Sequence, residues 1–156
     1  MDITVKIEDW KLNSRAGVII IHNNKALFHH DINQTYYALV GGRIMIGESS
    51  EQTIKREILE EIGKEIEVTG YVGTIENFFK MKDRQYHEYL FIHFAEFVDE
   101  QDKKIETIIK NIEGREELQY EWIELDKISE YDIRPAVIKQ VLIENKFPTH
   151  KVNIDL

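Results

Sequence analysis

A short helix framed by strand-like segments limits this chain to a mixed α/β fold more firmly than any other feature. The stretch "SSEQ" offers Ser49 as the N-cap of the helix and Gln52 at its third position, a pair typical of a capping box. Gly63 stands where such a helix would end. Isoleucines recur every four residues between these signals and form one apolar stripe, at Ile54, Ile58 and Ile62. The sequence therefore predicts an amphipathic helix of about three and a half turns.

Strand patterns lie before this helix. Residues 15–21 and 25–29 read as two strands around a turn at Asn23 and Asn24, which is a hairpin pattern. The stretch "YYALV", just before the double glycine at Gly41 and Gly42, predicts a further strand.

Strand patterns also follow the helix. The stretches "IEVTGYVGTIENFFKM" and "QYHEYLFIHFAEFV" are rich in β-branched and aromatic residues and predict two long antiparallel strands joined at "KDRQ". Residues 99–119 have a mixed period and predict a strand or irregular stretch with a loop near Gly114. "YEWIEL" predicts a strand, and "RPAVIKQVLIENK" a helix with Pro135 in its first turn. This order predicts a mixed sheet covered by two helices.

Length and composition favour one domain that spans residues 1–156. A chain of this length with 42% apolar residues fits a single core of ordinary size. It contains no run of roughly 18–20 apolar residues, so we expect no membrane span and a cytoplasmic location. Cysteine is absent, which excludes disulfides and thiolate ligands, and any bound metal must be held by oxygen or imidazole.

The net charge of −9 limits the kinds of molecule that we expect this chain to bind. Binding to a long nucleic acid depends on Lys and Arg side chains that neutralise phosphates, so a nucleic-acid polymer is a poor match. A small phosphorylated ligand remains compatible with this charge, because carboxylates can bind phosphate through divalent cations.

Three glutamates of the helix form a tight cluster that needs an explanation. At 100° per residue, Glu57, Glu60 and Glu61 fall within a sector about 100° wide, beside the isoleucine stripe. They lie towards the C-terminal end of the helix, where its dipole disfavours negative charge, and Arg56 and Lys64 compensate only partly. A solvated acidic face would be the simplest interpretation. Their placement instead favours a compensating hard cation, Mg²⁺ or Mn²⁺.

The spacing of these residues resembles the box that defines the Nudix hydrolase family. That pattern is G-x5-E-x7-R-E-U-x-E-E-x-G-U, where U is an apolar residue. All seven fixed positions match over residues 42–63, and the departure is Lys64 at the final apolar position. Because Lys64 alters the packing below the helix, we expect Ile66 to fill that gap. A weaker similarity to ADP-ribose pyrophosphatases lies in "ENFF" followed by "HEYLFIHFAEF".

The resemblance implies an α/β/α sandwich that hydrolyses a nucleoside diphosphate linked to another group. It implies roles for eight residues in this sequence. The metal ligands would be Glu57, Glu60, Glu61 and the carbonyl of Gly41. Arg56 would orient a glutamate, and Glu48 would pair within the loop and helix. Gly42 and Gly63 would be structural.

The general base stays open between two positions. Glu57 is one candidate for the group that accepts the proton of the attacking water. The other is a glutamate in the loop before Trp122, where "REELQYEW" offers Glu116 and Glu117, and the distance from Trp122 favours Glu116.

The prediction is a Mg²⁺- or Mn²⁺-dependent pyrophosphohydrolase of a small nucleoside diphosphate derivative. ADP-ribose, dinucleoside polyphosphates, NADH and oxidised nucleoside triphosphates are all open as substrates. The main alternative is a catalytically silent Nudix-fold module that senses a nucleotide, and an RNA-end hydrolase is disfavoured by the net charge. The N-terminal stretch "MDITVKIEDW" or a free strand edge is a candidate surface for a homodimer.

Overall fold

The computed structural model describes residues 1–104, 108–146 and 150–156. Its strands are β1 (Thr4–Ile7), β2 (Trp10–Ile19), β3 (Ile21–His22), β4 (Lys25–Asp31), β5 (Tyr37–Arg43), β6 (Ile66–Met81), β7 (Arg84–Phe97), β8 (Ile109–Lys110), β9 (Leu118–Glu124), β10 (Ile133–Arg134) and β11 (His150–Asp155). Its helices are α1 (Ser50–Ile62), α2 (Glu100–Lys103), a 3₁₀ helix (Leu125–Glu130) and α3 (Ala136–Glu144).

The strands form one mixed sheet in the order β11-β6-β7-β2-β5-β4-β9-β8. The long hairpin β6–β7 is antiparallel, and β7 continues into a parallel pairing with β2. Helices α1 and α3 pack on opposite faces, because their buried residues belong to two separate clusters of core side chains. The α/β/α architecture and the mixed sheet are therefore confirmed.

Strand β5 changes its partner along its length. Residues 37–39 pair with β4, whereas residues 40–43 pair with β2. The two parts of the sheet diverge at this point, and α1 packs between them: its isoleucines share one core with Val18 of β2 and Tyr120 of β9. The turn that follows β5 thus delivers the helix directly above the double glycine.

The ends of α1 follow the predicted signals. Ser49 accepts a hydrogen bond from the backbone of Gln52, and the Gln52 side chain accepts one from the Ser49 backbone, so both halves of the capping box are present. Gly63 ends the helix in the left-handed region at φ 69°. This conformation strongly favours glycine, which explains the residue at this position.

Several elements differ from the sequence prediction. The Asn23-Asn24 turn joins β3 to β4, while the preceding strand pairs mainly with β5 and β7. Pro135 is the N-cap of α3, one position before its first turn. Strands β1, β10 and β11, helix α2 and the 3₁₀ helix were not predicted. Part of the uncertain stretch 99–119, residues 105–107, lies outside the described residues.

One row of polar side chains crosses five strands on the face of the sheet that α3 covers. Asn13, Glu88 and Asn77 are each buried to 4–6% exposure and lie side by side on β2, β7 and β6. Thr4 donates to Asn13 at 2.8 Å, and Asn153 donates to Asn77 at 2.9 Å. We call these five residues the polar row. It ties the two outer strands, β1 and β11, to the centre of the sheet.

Candidate active site

The double glycine of β5 exists because two groups approach its backbone closely. A Cβ on Gly42 would overlap the carboxyl group of Glu57, and a Cβ on Gly41 would overlap the carbonyl oxygen of Ala16. Gly41 is buried opposite Gly17 in the pairing of β5 with β2. The sequence therefore keeps this strip free of side chains so that Glu57 of α1 can lie directly against β5.

Arg56 and Glu48 hold the loop before α1 against the helix. The Nε and Nη2 atoms of Arg56 donate to the two carboxylate oxygens of Glu48 at 2.7 and 2.9 Å, a bidentate arrangement. Thr53 and the backbone of Met45 donate to the same carboxylate. These bonds, above all those from Arg56, lower the pKa of Glu48 to about 2. Arg56 also donates to the carbonyl of Arg43, which closes the loop on β5.

Glu57 and Glu61 meet one turn apart in a much less compensated environment. Their carboxyl groups are close enough for each to influence the pKa of the other. Arg56 donates to Glu57 at 2.8 Å, and the Tyr120 hydroxyl donates to Glu61 at 2.9 Å. Burial raises the pKa of Glu57, and burial together with the charge of Glu57 raises the pKa of Glu61 to about 7. Arg56 and, for Glu61, the charge of Arg15 compensate these two partly buried carboxylates only in part. The pair is therefore a donor set suited to a hard divalent cation.

Glu60 lies apart from this pair. Its side chain is 45% exposed and accepts from Arg56 at 3.2 Å. Within residues 1–104, 108–146 and 150–156, no group of three or more His, Asp or Glu side chains is arranged as a complete metal site. The structure thus brings together Glu57 and Glu61, places Glu57 against Gly42, the residue after Gly41 in β5, and leaves Glu60 towards solvent.

The loop before β9 reaches the site through residues that the sequence did not single out. Ile112 donates its backbone N–H to the carbonyl of Glu61 at 2.8 Å, and Asn111 donates to the Tyr120 hydroxyl at 3.0 Å. The charge of Glu113 contributes to the raised pKa of Tyr120, after the larger effects of burial and of Glu61. Glu113 is therefore the carboxylate that this loop brings towards Tyr120 and Glu61.

Glu116, the predicted loop glutamate, is exposed and makes no hydrogen bond to the site within the described part of the chain. Its neighbour Glu117 pairs with Arg115 at 3.0 Å. Counting back from Trp122 missed Glu113 because the loop turns again at Gly114, whose φ is 87°. The available signal was the pattern Asn-x-Glu, since the Asn111 side chain accepts from the Glu113 backbone at 2.8 Å.

Lys64, which replaces the final apolar residue of the box, has its own partner. Its ammonium group lies 2.6 Å from a carboxylate oxygen of Asp102 in α2, and its side chain is largely buried. Ile66 is buried in the core cluster that contains the α1 isoleucines. The gap below the helix end is therefore filled as expected.

Known proteins share the sequence pattern and the fold of this chain. The family model described as NUDIX domain matches residues 11–142. Among the curated proteins, none matches the sequence. The fold is similar to a Nudix hydrolase from Nitrosomonas europaea, with a TM-score of 0.64, 16% identity, and coverage of 92% of this chain and 79% of that one.

Two further solved structures share the fold. One is an ADP-ribose pyrophosphatase from Streptococcus suis 89-1591, with a TM-score of 0.59, 12% identity, and coverage of 90% of this chain and 98% of that one. The other is a UDP-X diphosphatase, with a TM-score of 0.59 and 15% identity. There the match covers 89% of this chain and 66% of the diphosphatase.

The chain belongs to the Nudix family. The enzyme class predicted from the box, a pyrophosphohydrolase, is the one that this family and fold support. In the described residues, no helix is long and apolar enough to cross a membrane.

Proposed function

We propose that the protein is a Mg²⁺- or Mn²⁺-dependent hydrolase that cleaves the pyrophosphate linkage of a small nucleoside diphosphate derivative. One observation carries the proposal: Glu57 and Glu61 are partly buried side by side on α1, and both carboxyl groups have raised pKa values. Charges buried in this way are costly unless a cation compensates them. The proposed ligands are Glu57, Glu60, Glu61 and the carbonyl of Gly41.

The chain's own residues would prepare the site for this reaction. Arg56 is fixed by Glu48 and donates to Glu57, so it sets the orientation of that carboxylate. Tyr120 donates to one carboxylate oxygen of Glu61 and so restrains the orientation of that carboxylate. A divalent cation held there would neutralise the pyrophosphate oxygens and lower the pKa of a bound water. Glu57 remains one candidate base for the proton of that water.

A loop glutamate is the other candidate base. We propose Glu113 in preference to Glu116, because the loop that carries Glu113 is bonded to Glu61 and to Tyr120. Glu116 would have to move towards the site to accept a proton. The exposure of both residues is compatible with a role that begins only when substrate binds.

The substrate class rests on the family and on the charge of the chain. Structures with the same fold are named as acting on UDP-X and ADP-ribose, which are nucleoside diphosphates linked to a second group. A net charge of −9 disfavours an RNA end. The intact carboxylate pair favours hydrolysis over the alternative of a silent nucleotide sensor, and a cytoplasmic location remains part of the proposal.

The test is hydrolysis of a panel of nucleoside diphosphate compounds with Mg²⁺ or Mn²⁺, by the wild type and by Glu57→Gln. We expect the variant to lose about 100-fold or more of the turnover, because removal of even an indirect partner of a metal ligand costs 10–100-fold. Glu51→Gln is the matched control, since Glu51 lies on the same helix but pairs with Lys55 in solvent. Nucleotide binding without turnover by the wild type would favour the sensor.

A further inference from the structure

The far end of the sheet has its polar and apolar faces reversed. On the face that α3 covers, the polar row places Asn13, Glu88 and Asn77 in the interior. Side chains alternate along a strand, so the neighbouring residues of the same strands point to the opposite face. An ordinary sheet with one solvated face would carry polar residues there.

Most of the residues on that opposite face are apolar instead. By the strand register, eight of them lie in three neighbouring rows on β1, β2, β6, β7 and β11. Five are 37–69% exposed, and the other three are partly buried. We call these eight residues the far face: Val5, Ile7, Trp10, Leu12, Phe78, Tyr89, Val152 and Ile154.

Helix α1 lies on the same side of the sheet but does not reach the far face. Its first residue, Ser50, hydrogen-bonds His93 of β7 at 2.8 Å. His93 and Tyr89 are four residues apart and point to the same side of β7, so Tyr89 lies about 13 Å further along the strand. Beyond the end of α1, the polar side chains point inward and the apolar side chains point outward. This arrangement indicates that something other than α1 covers the far face.

The composition of the far face matches the centre of a protein interface. Interface cores are depleted of charge and enriched in aromatic residues, and the far face holds Trp10, Phe78 and Tyr89. The polar side chains in its rows are Ser14, Gln85 and His87, and the His87 ring stacks on Phe78 at 4.3 Å. The charged ones are Glu76 and Lys80, which lie on either side of Phe78 in β6. Glu76 is also paired with His150 at 2.8 Å.

We propose that the far face packs against the far face of a second copy of this chain. Two-fold symmetry requires a surface that complements itself, and an axis near Phe78 would set Glu76 of each copy opposite Lys80 of the other. Such pairing lets two acidic chains meet without repulsion at the contact.

The size of the surface is compatible with a dimer. Five strands about 4.8 Å apart and three rows about 6.6 Å apart give a flat footprint of about 500 Å². Met1 and Ile46, joined by a backbone hydrogen bond beside β1, and Leu156 after β11 extend it with further exposed apolar side chains. A stable dimer needs about 800 Å² of accessible surface from each partner, which includes the sides of protruding residues.

The experiment is the mass of the full chain in solution, measured by light scattering and sedimentation over a range of concentrations. We expect the wild type to have twice the mass of one 18.5 kDa chain. The double variant Ile7→Lys and Ile154→Lys should weaken association at least 100-fold, because it buries charge in the interface. Both residues are more than 60% exposed in the single chain, so the fold should tolerate the change.

The matched control is Ile143→Lys, which puts the same charge on a similarly exposed residue of α3, away from the far face. It should remain dimeric. If the lysine variants misfold, Val5→Thr with Val152→Thr is the second variant, because threonine keeps the branched shape and strand preference. It should weaken association at least 10-fold.

A wild type that stays monomeric at about 100 μM would overturn the proposal, and so would a dimer that neither far-face variant weakens. Removal of residues 1–13 is a poorer test, since it deletes β1 and Asn13 of the polar row and would damage the fold itself.

Discussion

Glu48 and Glu61 lie near opposite ends of α1, and their carboxyl groups meet opposite environments. Glu48 receives bonds from Arg56, Thr53 and Met45, and its pKa falls to about 2. Glu61 is buried beside another carboxyl group, and its pKa rises to about 7. The same residue type in one motif therefore has two roles: Glu48 stabilises the loop, whereas the charge of Glu61 is only partly compensated, by Tyr120 and Arg15.

The largest expected effect comes from Glu61→Gln, which removes this partly compensated charge. We expect activity and Mn²⁺ affinity to fall together by about 100-fold or more. The free energy of unfolding without metal should stay constant or rise, because a neutral amide is cheaper to bury than a carboxylate. Calorimetric titration with Mn²⁺ and thermal melting of the metal-free protein would measure both. A strongly destabilised variant with normal Mn²⁺ affinity would place Glu61 with Glu48 as a structural residue.

Substitution of the two glycines of β5 should separate an effect on catalysis from an effect on stability. Gly42→Ala would displace the flexible Glu57 side chain, so turnover should fall about 10-fold or more with little loss of stability. Gly41→Ala would press on the Ala16 backbone and should cost about 1–3 kcal/mol of stability. Gly70→Ala is the control, since a Cβ there meets only Phe94 at 3.8 Å. Equal melting temperatures for the first two variants would contradict this assignment.

Glu48→Gln tests the role of the Glu48 carboxylate through the pH dependence of the free energy of unfolding. A lowered native pKa adds stability above the unfolded value of 4.5, and this stability is lost as the pH falls towards about 2. The wild type should therefore exceed Glu48→Gln by about 3 kcal/mol near pH 6, and the gap should close in acid. Urea unfolding of both proteins between pH 2.5 and pH 6 would measure it. A gap independent of pH would mean that hydrogen bonding alone, and not charge, holds the loop.

The smallest effect is expected for Glu60→Gln. Glu60 is nearly half exposed and is bonded to Arg56 on the solvent side of the pair. Its loss should lower activity less than that of Glu61, by about 10-fold, because its exposed side chain is the least firmly held of the proposed ligands, with no more than about 0.5 kcal/mol of stability change. Kinetics of both variants at saturating Mn²⁺ would rank them. A Glu60 variant as inactive as the Glu61 variant would show that Glu60 turns inward when metal binds.

Short-range patterns in the sequence predicted the elements whose formation depends only on nearby residues. The capping pair at Ser49 and Gln52, the stop at Gly63 and the isoleucine stripe specified α1, and fixed spacing identified the carboxylates. None of these depends on distant parts of the chain. The spacing could not predict that the carboxyl groups of Glu48 and Glu61 differ in pKa, because this difference depends on which hydrogen-bond donors surround each carboxyl group.

The missed residues depend on contacts between distant segments. Tyr120 lies 59 residues from Glu61. The loop that carries Glu113 reaches Glu61 through a backbone hydrogen bond from Ile112, which the spacing of the glutamates did not indicate. The outer strands β1 and β11 were missed because their exposed side is apolar and their buried side is polar, the reverse of the usual pattern. Short strands with such reversed alternation can be recognised only from the polar row, whose hydrogen bonds attach them to the sheet.

The change of partner along β5 has a consequence for how such an enzyme can diversify. Strand β5 pairs with β4 at its start and with β2 along Gly41 and Gly42. Both parts of the sheet therefore hold the strand that lies beneath the carboxylates, and neither part supplies those carboxylates itself. Loops and outer strands on either side can be replaced to fit a new leaving group, while the part that breaks the phosphate bond is inherited unchanged.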